Sequence, residues 1–599
     1  MAVAGVVALT TLAPTLTQAA DWAPVAPVDT AKVRADDFAD DELDLPFYLI
    51  HFHRLANAVV ASGETRGFID LPVYRAAEVN KPFNARIMEN ILSFAFFYTT
   101  RRPWNPYYAD PAVRVRLEAA LEYWCKLQHT DGRFSEYAPR EWNLAATAFA
   151  TKFMGRTLTL LRDGPPIDAA LHRRVVAADR LALQALLTDA ELYEHGKKFI
   201  NQYTNTYAGG FELLALYPDA DLRSRLVARQ TETSPLFQSP AGYFYEERGP
   251  DFGYNIDTQH SNLWITWDYN YGNDVAARVV EEERRFFEWY AYNAVLEPGR
   301  NVFTLNRGVE TRQRHALFDV AGDSERLMAT RDVPTAHAFL TTDEEHKREI
   351  AEARAELRRS WPKVRDLKVG RSDYNPYVFL HRTLRQWYPT NAARESSRAA
   401  LPYVRRDRFV HQRADDRQPV VFTYVRRPGY YAAFNSGALL TRQQRYGLGL
   451  LWSPTAGTVL QSQTGSADAA WGTRAAGEPL VYEAASLDAR ITIDGRDVRA
   501  VPGGHDLPDG ALVVRYALGR DGEKSLSFTD EAVSVSVRHV GELREQIPLV
   551  ITPGDELRRE EGKTRLVRSG RTVLTVVHAG TGLVTDGEAD PRLADGPRG

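Results

Sequence analysis

Apolar positions along this chain follow two different periods, and the change of period divides it in two. From about residue 30 to about 390 the pattern is helical. Leu117, Leu121, Trp124 and Leu127 recur at three- and four-residue steps, the stripe of a helix with one buried face. The stretch Trp142–Leu161 (WNLAATAFATKFMGRTLTLL) is small and apolar nearly all round, which predicts a helix buried on most sides. Further helices are predicted over about 175–189, 205–217, 257–269, 276–296 and 343–359. Beyond about residue 395 the period shortens. Val420–Tyr424, Tyr430–Phe434, Tyr446–Trp452, Ala489–Ile493, Leu512–Tyr516, Val533–Val537 and Arg571–Val577 alternate or run apolar between Gly, Pro and Asn. That predicts an all-β module, a sandwich of antiparallel sheets. The last fifteen residues are polar, with Gly and Pro, and are expected to fray.

An internal repeat lies in the helical part. Gln128, Asp131, Gly132, Phe134 and Glu136 match Gln238, Ala241, Gly242, Phe244 and Glu246 at identical spacing, and only the Asp/Ala pair differs. Each set follows a polar helix and precedes a more apolar one. Helix–loop–helix units that cannot bury their own faces stack into a solenoid or close into a ring.

Composition narrows the function. At 599 residues the chain exceeds one ordinary core, so two or three domains are expected. Net charge is −4 with no block of like charges, so a nucleic-acid groove is not expected. The 65 aromatic residues (11 Trp, 28 Tyr, 26 Phe) suit sugar-stacking clefts, although cores use them too. The start, MAVAGVVALTTLAPTLTQAADW, is apolar and small and reaches a Thr-Gln-Ala step ending at Ala19. It reads as a secretory leader over 1–20 that lacks the usual basic n-region, so a secreted or periplasmic protein is expected. It is too short and Thr/Pro-rich for a membrane span, and no later stretch qualifies. The single Cys125 sits beside Trp124 on a helix face, where a role as a small buried hydrophobe is expected. No cofactor or metal is implied, because no Cys cluster or His/carboxylate motif has ligand spacing.

The segment Tyr243–His260 (YFYEERGPDFGYNIDTQH) concentrates chemistry between predicted helices. It holds five aromatic residues, four acids, one Arg and one His around a Gly-Pro-Asp turn. Such loops on rigid scaffolds tend to carry function, although aromatic loops also plug the mouths of helical barrels. Its start belongs to the repeat, so Gly242, Phe244 and Glu246 are explained by construction. The extension after Glu246, ending in Tyr254, is not.

These patterns resemble the polysaccharide lyases of the heparinase II/III, alginate lyase and chondroitin/hyaluronate lyase type. Asn201 in NQYTN precedes a helix carrying Gly209-Gly210, and GYFYEERGPDFGY is similar to the aromatic loop that supplies the catalytic Tyr in those enzymes. Asn306–Arg312 (NRGVETR) is similar to an Arg-Gly-Arg stretch of the chondroitin/hyaluronate lyases. YYAAFNSG (430–437) and RYGLGLLWSPTAGT (445–458) look like the sheet domain of heparinase-like proteins. The resemblance implies an incomplete (α/α) toroid over 28–394, an antiparallel β-sandwich over 395–599, and β-elimination on an acidic, uronate-containing polysaccharide. In that chemistry the uronate carboxylate must be neutralised before a base can take the weakly acidic C5 proton. A tyrosine can act as base or acid where nearby positive charge lowers its pKa from about 10.

Carried onto this chain, Asn201 is the expected neutraliser and Tyr254 the base and acid. Arg307 and Arg312 would hold the carboxylate or act on the phenol, and His260 or His315 would assist proton transfer. His411, in FVHQR, would reach the cleft from the sheet domain. Arg102 and Trp104 in RRPWNPYY, Tyr137 and Trp142 in the first repeat loop, and Glu246 and Glu247 are the expected substrate contacts. There is a departure: related lyases often have His beside the neutralising Asn or within the aromatic loop, where this chain has Gln202 and Glu246-Glu247.

Each assignment competes with a structural one. Asn201 would serve as a helix cap, Tyr254 as packing under its loop, the arginines as interdomain ion pairs, His260 as a satisfied core residue, and the Arg102 segment as a helix connection. At the level of function the alternatives are two. One is a glycoside hydrolase drawing a carboxylate pair from Glu246, Glu247, Asp251 and Asp257, and the other is a non-catalytic glycan-binding protein. Substrate identity, endo or exo action and oligomeric state are not expressed in the sequence.

Overall fold

The computed structural model describes residues 22–71, 77–312, 318–320, 329–363, 374–465 and 469–578. The leader-like stretch, His315 and the last fifteen residues lie outside them.

Four inner helices stand side by side: Ile91–Thr99, Leu144–Asp163, Asn205–Leu216 and His260–Asp268. Each packs against an outer helix: Pro111–Leu127, Ala169–Thr188, Ala220–Phe237 and Asp274–Asn293. Burial sorts the layers as their sequences do. The inner helices are buried on nearly every side, and the outer ones keep a polar face to solvent. Inner neighbours approach closely where side chains vanish: a Cβ on Gly209 would lie 2.6 Å from the backbone of Thr151 and Lys152. Two helix ends differ from expectation. The helix predicted over 276–296 stops at Asn293, and Ala294–Leu296 instead pairs antiparallel with Val302–Leu305. Asn293 causes the break, since its Nδ2 donates to Trp289 O (3.0 Å) and to the Tyr424 hydroxyl of the sheet domain (2.7 Å). The helix predicted from 257 opens with a wide π turn over Asn255–Gln259 before regular helix starts at His260.

The repeat is a turn built twice. Gln128 Nε2 donates to Gly132 O and Ala178 O (3.0 and 2.8 Å), and Gln238 Nε2 donates to Gly242 O and Glu282 O (both 2.8 Å). Both glycines have positive φ (100° and 121°), and a Cβ on either would strike an outer-helix carbonyl, Leu181 O or Arg285 O. The amide thus pins each turn to the neighbouring outer helix, which is why Gln and Gly recur together. Glu136 and Glu246, the last members, are both fully buried.

Short helices Asn391–Ala399 and Pro402–Arg405 lead to the first strand of a six-stranded antiparallel sheet. Its order is Gly503–Leu507, Phe409–Asp415, Val420–Arg427, Tyr430–Gly437, Gly447–Ser453 and Gly457–Gln461. Its central strands are buried on both faces, so they read as apolar runs without alternation. Along Tyr430–Gly437 the two faces separate at the strand period of two. Tyr431 donates its hydroxyl to Tyr292 O and Asn435 exchanges amide hydrogen bonds with Asn306, both towards the helices. Phe434 meets Tyr516 on the other face. Tyr516 belongs to a five-stranded outer sheet, whose strand Leu512–Leu518 alternates buried and exposed residues as a one-faced strand must. A three-stranded sheet, Glu556–Glu560, Lys563–Arg568 and Arg571–Val577, follows. No helix among the described residues is long and apolar enough to cross a membrane.

Candidate functional site

Two segments meet where the helices face the sheet domain. The first is the loop after Glu246. Glu246 N donates to Gly249 O (2.7 Å) and Gly249 N to Glu246 O (3.1 Å), closing a two-residue turn. Its central residues, Glu247 and Arg248, both have positive φ (50° and 75°) and both are exposed. Glycine and asparagine ordinarily fill such positions, and a residue with a Cβ costs roughly 1–2 kcal/mol there. The turn therefore holds two charged side chains at the rim at the expense of backbone strain, a feature that gathers at functional sites.

The second segment is Asn306–Arg312. Arg307 Nη1 pairs with Glu310 Oε2 (3.2 Å), and Glu310 Oε1 accepts from Phe252 N (2.9 Å). Thr311 N donates to Pro250 O (3.0 Å), its hydroxyl donates to Glu246 O, and Arg312 N donates to Asp251 Oδ2 (3.1 Å). The sheet domain holds this segment from behind, through Gln444 Nε2 to Val309 O and Thr441 Oγ1 to Thr311 O (both 2.9 Å). The zipper delivers the Arg312 guanidinium onto Tyr254, its carbon 3.8 Å from the ring centre. Phe199 supplies a second wall at 4.9 Å. Nη1 of the same guanidinium donates to Glu246 Oε2 (2.6 Å), and Glu246 Oε1 accepts from Asn201 N (3.0 Å). One buried carboxylate thus joins the helix carrying Asn201 to the arginine over Tyr254. Burial pushes the Glu246 carboxyl up to about 8, against the pull of Arg312 and the Asn201 N–H.

Asn201 is no helix cap. It lies inside the short helix Ile200–Tyr203, whose cap position is Phe199, and its side chain is 2% exposed. Its backbone carbonyl accepts from Asn205 Nδ2 (2.7 Å) and Asn262 Nδ2 (2.9 Å). Among the described residues nothing bonds to its amide oxygen. The fold fixes this residue and leaves its buried amide oxygen without a hydrogen bond.

Sequence reasoning missed the support beneath it. Lys152 Nζ donates to Asn262 Oδ1 and Ser261 Oγ (both 2.8 Å), and His381 Nε2 lies 2.9 Å from the same Ser261 hydroxyl. His381 stacks on Trp264 at 4.8 Å, and burial beside Lys152 and Arg156 holds its ring well below the ordinary histidine range. The signal was present: Lys152 and Arg156 are cations one helical turn apart in an otherwise small, apolar helix.

Other expected residues are not brought to Tyr254. His260 is fully buried among Phe244, Phe286 and Phe287; its Nε2 faces Glu283 Oε2 (2.6 Å) and its Nδ1 the Asn255 carbonyl. Both ring nitrogens thus face partners in the core of the helix pair rather than Tyr254. His411 stacks on Tyr292 (4.2 Å) and bonds Asp506 (2.7 Å), and burial pushes its imidazole down to about 4. It belongs to the seam between helices and sheet. Trp104 is fully buried, stacked on Phe38 with its Nε1 on Glu42 (2.9 Å), so it offers no face to a sugar. Arg102 binds the same Glu42 (2.6 Å). Arg307, buried and paired with Glu310, braces the loop from within. In the first repeat loop Tyr137 is 52% exposed, and Trp142 is partly exposed beside His129 (ring centres 4.6 Å apart).

No family model matches the sequence, and no curated protein does. Solved structures do resemble it. A chondroitin AC lyase of Streptomyces coelicolor A3, in complex with chondroitin sulphate, has 13% identity and a TM-score of 0.44, covering 91% of this chain and 72% of that one. A chondroitinase AC lyase solved with oligosaccharides has 13% identity and a TM-score of 0.45, covering 89% and 74%. A heparinase III gene product has 9% identity and a TM-score of 0.42, covering 91% and 77%. The described residues of this chain form paired helices followed by antiparallel sheets.

Proposed function

We propose that this chain is a polysaccharide lyase that cleaves a uronate-containing glycan by β-elimination. One observation carries the reading: Glu246 ties Asn201 to an arginine clasped over Tyr254. The Asn201 amide donates to the uronate carboxylate and stabilises the charge that develops when the C5 proton leaves. Tyr254, as phenolate, takes that proton. The C5 electron pair forms the C4–C5 double bond, the C4–O bond breaks, and the phenol returns its proton to the leaving oxygen. Arg312 supplies fixed positive charge against the ring throughout. The partner is an acidic polysaccharide, with Tyr137 and Trp142 as stacking surfaces for sugars further along, and the leader-like start fits action outside the cytoplasm.

Two of the four carboxylates a hydrolase could draw on are engaged inside the loop. Glu246 is paired with Arg312, and Asp251 accepts from the backbone of Tyr254 and Arg312 (3.0 and 3.1 Å). The test is a panel of uronate polymers followed by ultraviolet absorbance. A new absorbing, unsaturated end supports elimination; saturated ends favour hydrolysis, and binding without new ends favours a glycan-binding protein.

A further inference from the structure

The clasp on Arg312 has an outer layer. His195, near the end of the helix Ala190–Gly196, lays its ring on Phe199 with centres 4.9 Å apart and planes 30° apart. The Arg312 guanidinium lies over the same Phe199 ring, 4.9 Å from its centre, and in turn covers Tyr254. Four groups are therefore linked in series, from the exposed His195 through Phe199 and Arg312 to Tyr254. We propose that His195 is a positioning residue of this site: its ring supports Phe199, and Phe199 sets where Arg312 lies over Tyr254.

Local geometry favours this role. Phe199 bridges the backbone of Glu246 and occupies the cap position of the short helix carrying Asn201, so its backbone is fixed at both ends of the proposed site. The turn that aims His195 is tightly packed, since a Cβ on the adjacent Gly196 would lie 2.5 Å from the Tyr203 ring. Charge acts in the same sense. Burial lowers the pKa of His195, Lys198 and Arg312 lower it further, and a hydrogen bond with Gln202 and the charge of Glu191 oppose them, so the net shift disfavours the charged ring. Without the His195 ring Phe199 loses a stacking partner. Glu246 still holds Arg312 by one nitrogen, so the guanidinium keeps its partner but loses a rigid wall. Small misplacements of this kind slow a chemical step well before they unfold a protein.

The inference rests on the lyase reading, because its readout is turnover of a uronate polymer. His195→Ala and His195→Phe are compared with wild type and with Tyr254→Phe, measuring kcat and KM separately. His195→Ala should lower kcat by about tenfold, equivalent to about 1.4 kcal/mol, and leave KM within about threefold. His195→Phe, which restores a flat ring and no titratable nitrogen, should recover kcat to within about threefold of wild type. Unchanged kcat in His195→Ala, or a His195→Phe enzyme as slow as His195→Ala, overturns the proposal. If Tyr254→Phe is inactive while His195→Ala is unchanged, only this proposal fails. If Tyr254→Phe turns over normally, the lyase mechanism fails and takes this proposal with it.

Discussion

Arg312 and Tyr254 are stacked, guanidinium on ring, with 3.8 Å between the guanidinium carbon and the ring centre. The arginine lies in a loop, and the tyrosine ends the one-turn helix Phe252–Tyr254. The arginine arrives on a zipper between Asn306–Arg312 and the loop, and the tyrosine follows a turn capped by Asp251. Arg312→Ala should lower kcat by roughly a hundredfold, the order seen when a charge-stabilising donor is removed. Steady-state kinetics on a responsive uronate polymer checks it. Arg312→Lys should not rescue, because a point charge cannot both stack on Tyr254 and reach Glu246.

Glu246 makes stability depend on pH in a stated direction. In the folded state its pKa is pushed up to about 8, above the ordinary glutamate value of 4.5. Between those values the folded protein binds a proton that the unfolded chain releases, so stability falls as pH rises from about 4.5 through about 8. Glu246→Gln removes that group, and the mutant should lose less stability than wild type between pH 5 and pH 8.5. Denaturant titrations at both values measure it; equal losses would contradict the assignment.

The strained turn predicts a stability gain. Glu247→Gly and Arg248→Gly should each raise stability by about 1 kcal/mol, because glycine adopts positive φ without a Cβ clash. Losing these exposed charges should at the same time raise KM for the polymer. Thermal melts and initial rates on both variants test the pair of effects together.

Trp104 and Trp142, read alike from the sequence, should part company. Trp104→Ala empties a fully buried site stacked on Phe38 and should cost roughly 3–5 kcal/mol. Trp142→Ala, partly exposed, should cost far less stability and should weaken affinity for oligosaccharides. Unfolding curves and a binding titration separate them.

Much of the architecture was legible because burial follows period. The helices over 175–189, 205–217 and 343–359 and the strands from Val420 onward fall where the apolar spacing places them, and the Gln/Gly repeat marks a turn built twice. The site was legible only in part. Tyr254 and Arg312 meet 58 residues apart in sequence by a backbone zipper that leaves no periodic trace. His260 and Trp104 read as functional because type alone cannot distinguish a ring aimed at a cleft from one aimed at a core. Only packing against Phe286 and Phe38 settles that. Lys152 was visible as an odd cation in an apolar helix, but its hold on Asn201, through Asn262, depends on an inner helix more than a hundred residues away.

The most direct test of the central claim follows ultraviolet absorbance with Tyr254→Phe on a uronate polymer that wild type cleaves. The account predicts that absorbance rises with wild type and stays flat with Tyr254→Phe, while the mutant still binds the polymer with near-normal affinity. Wild-type rates in Tyr254→Phe would contradict it.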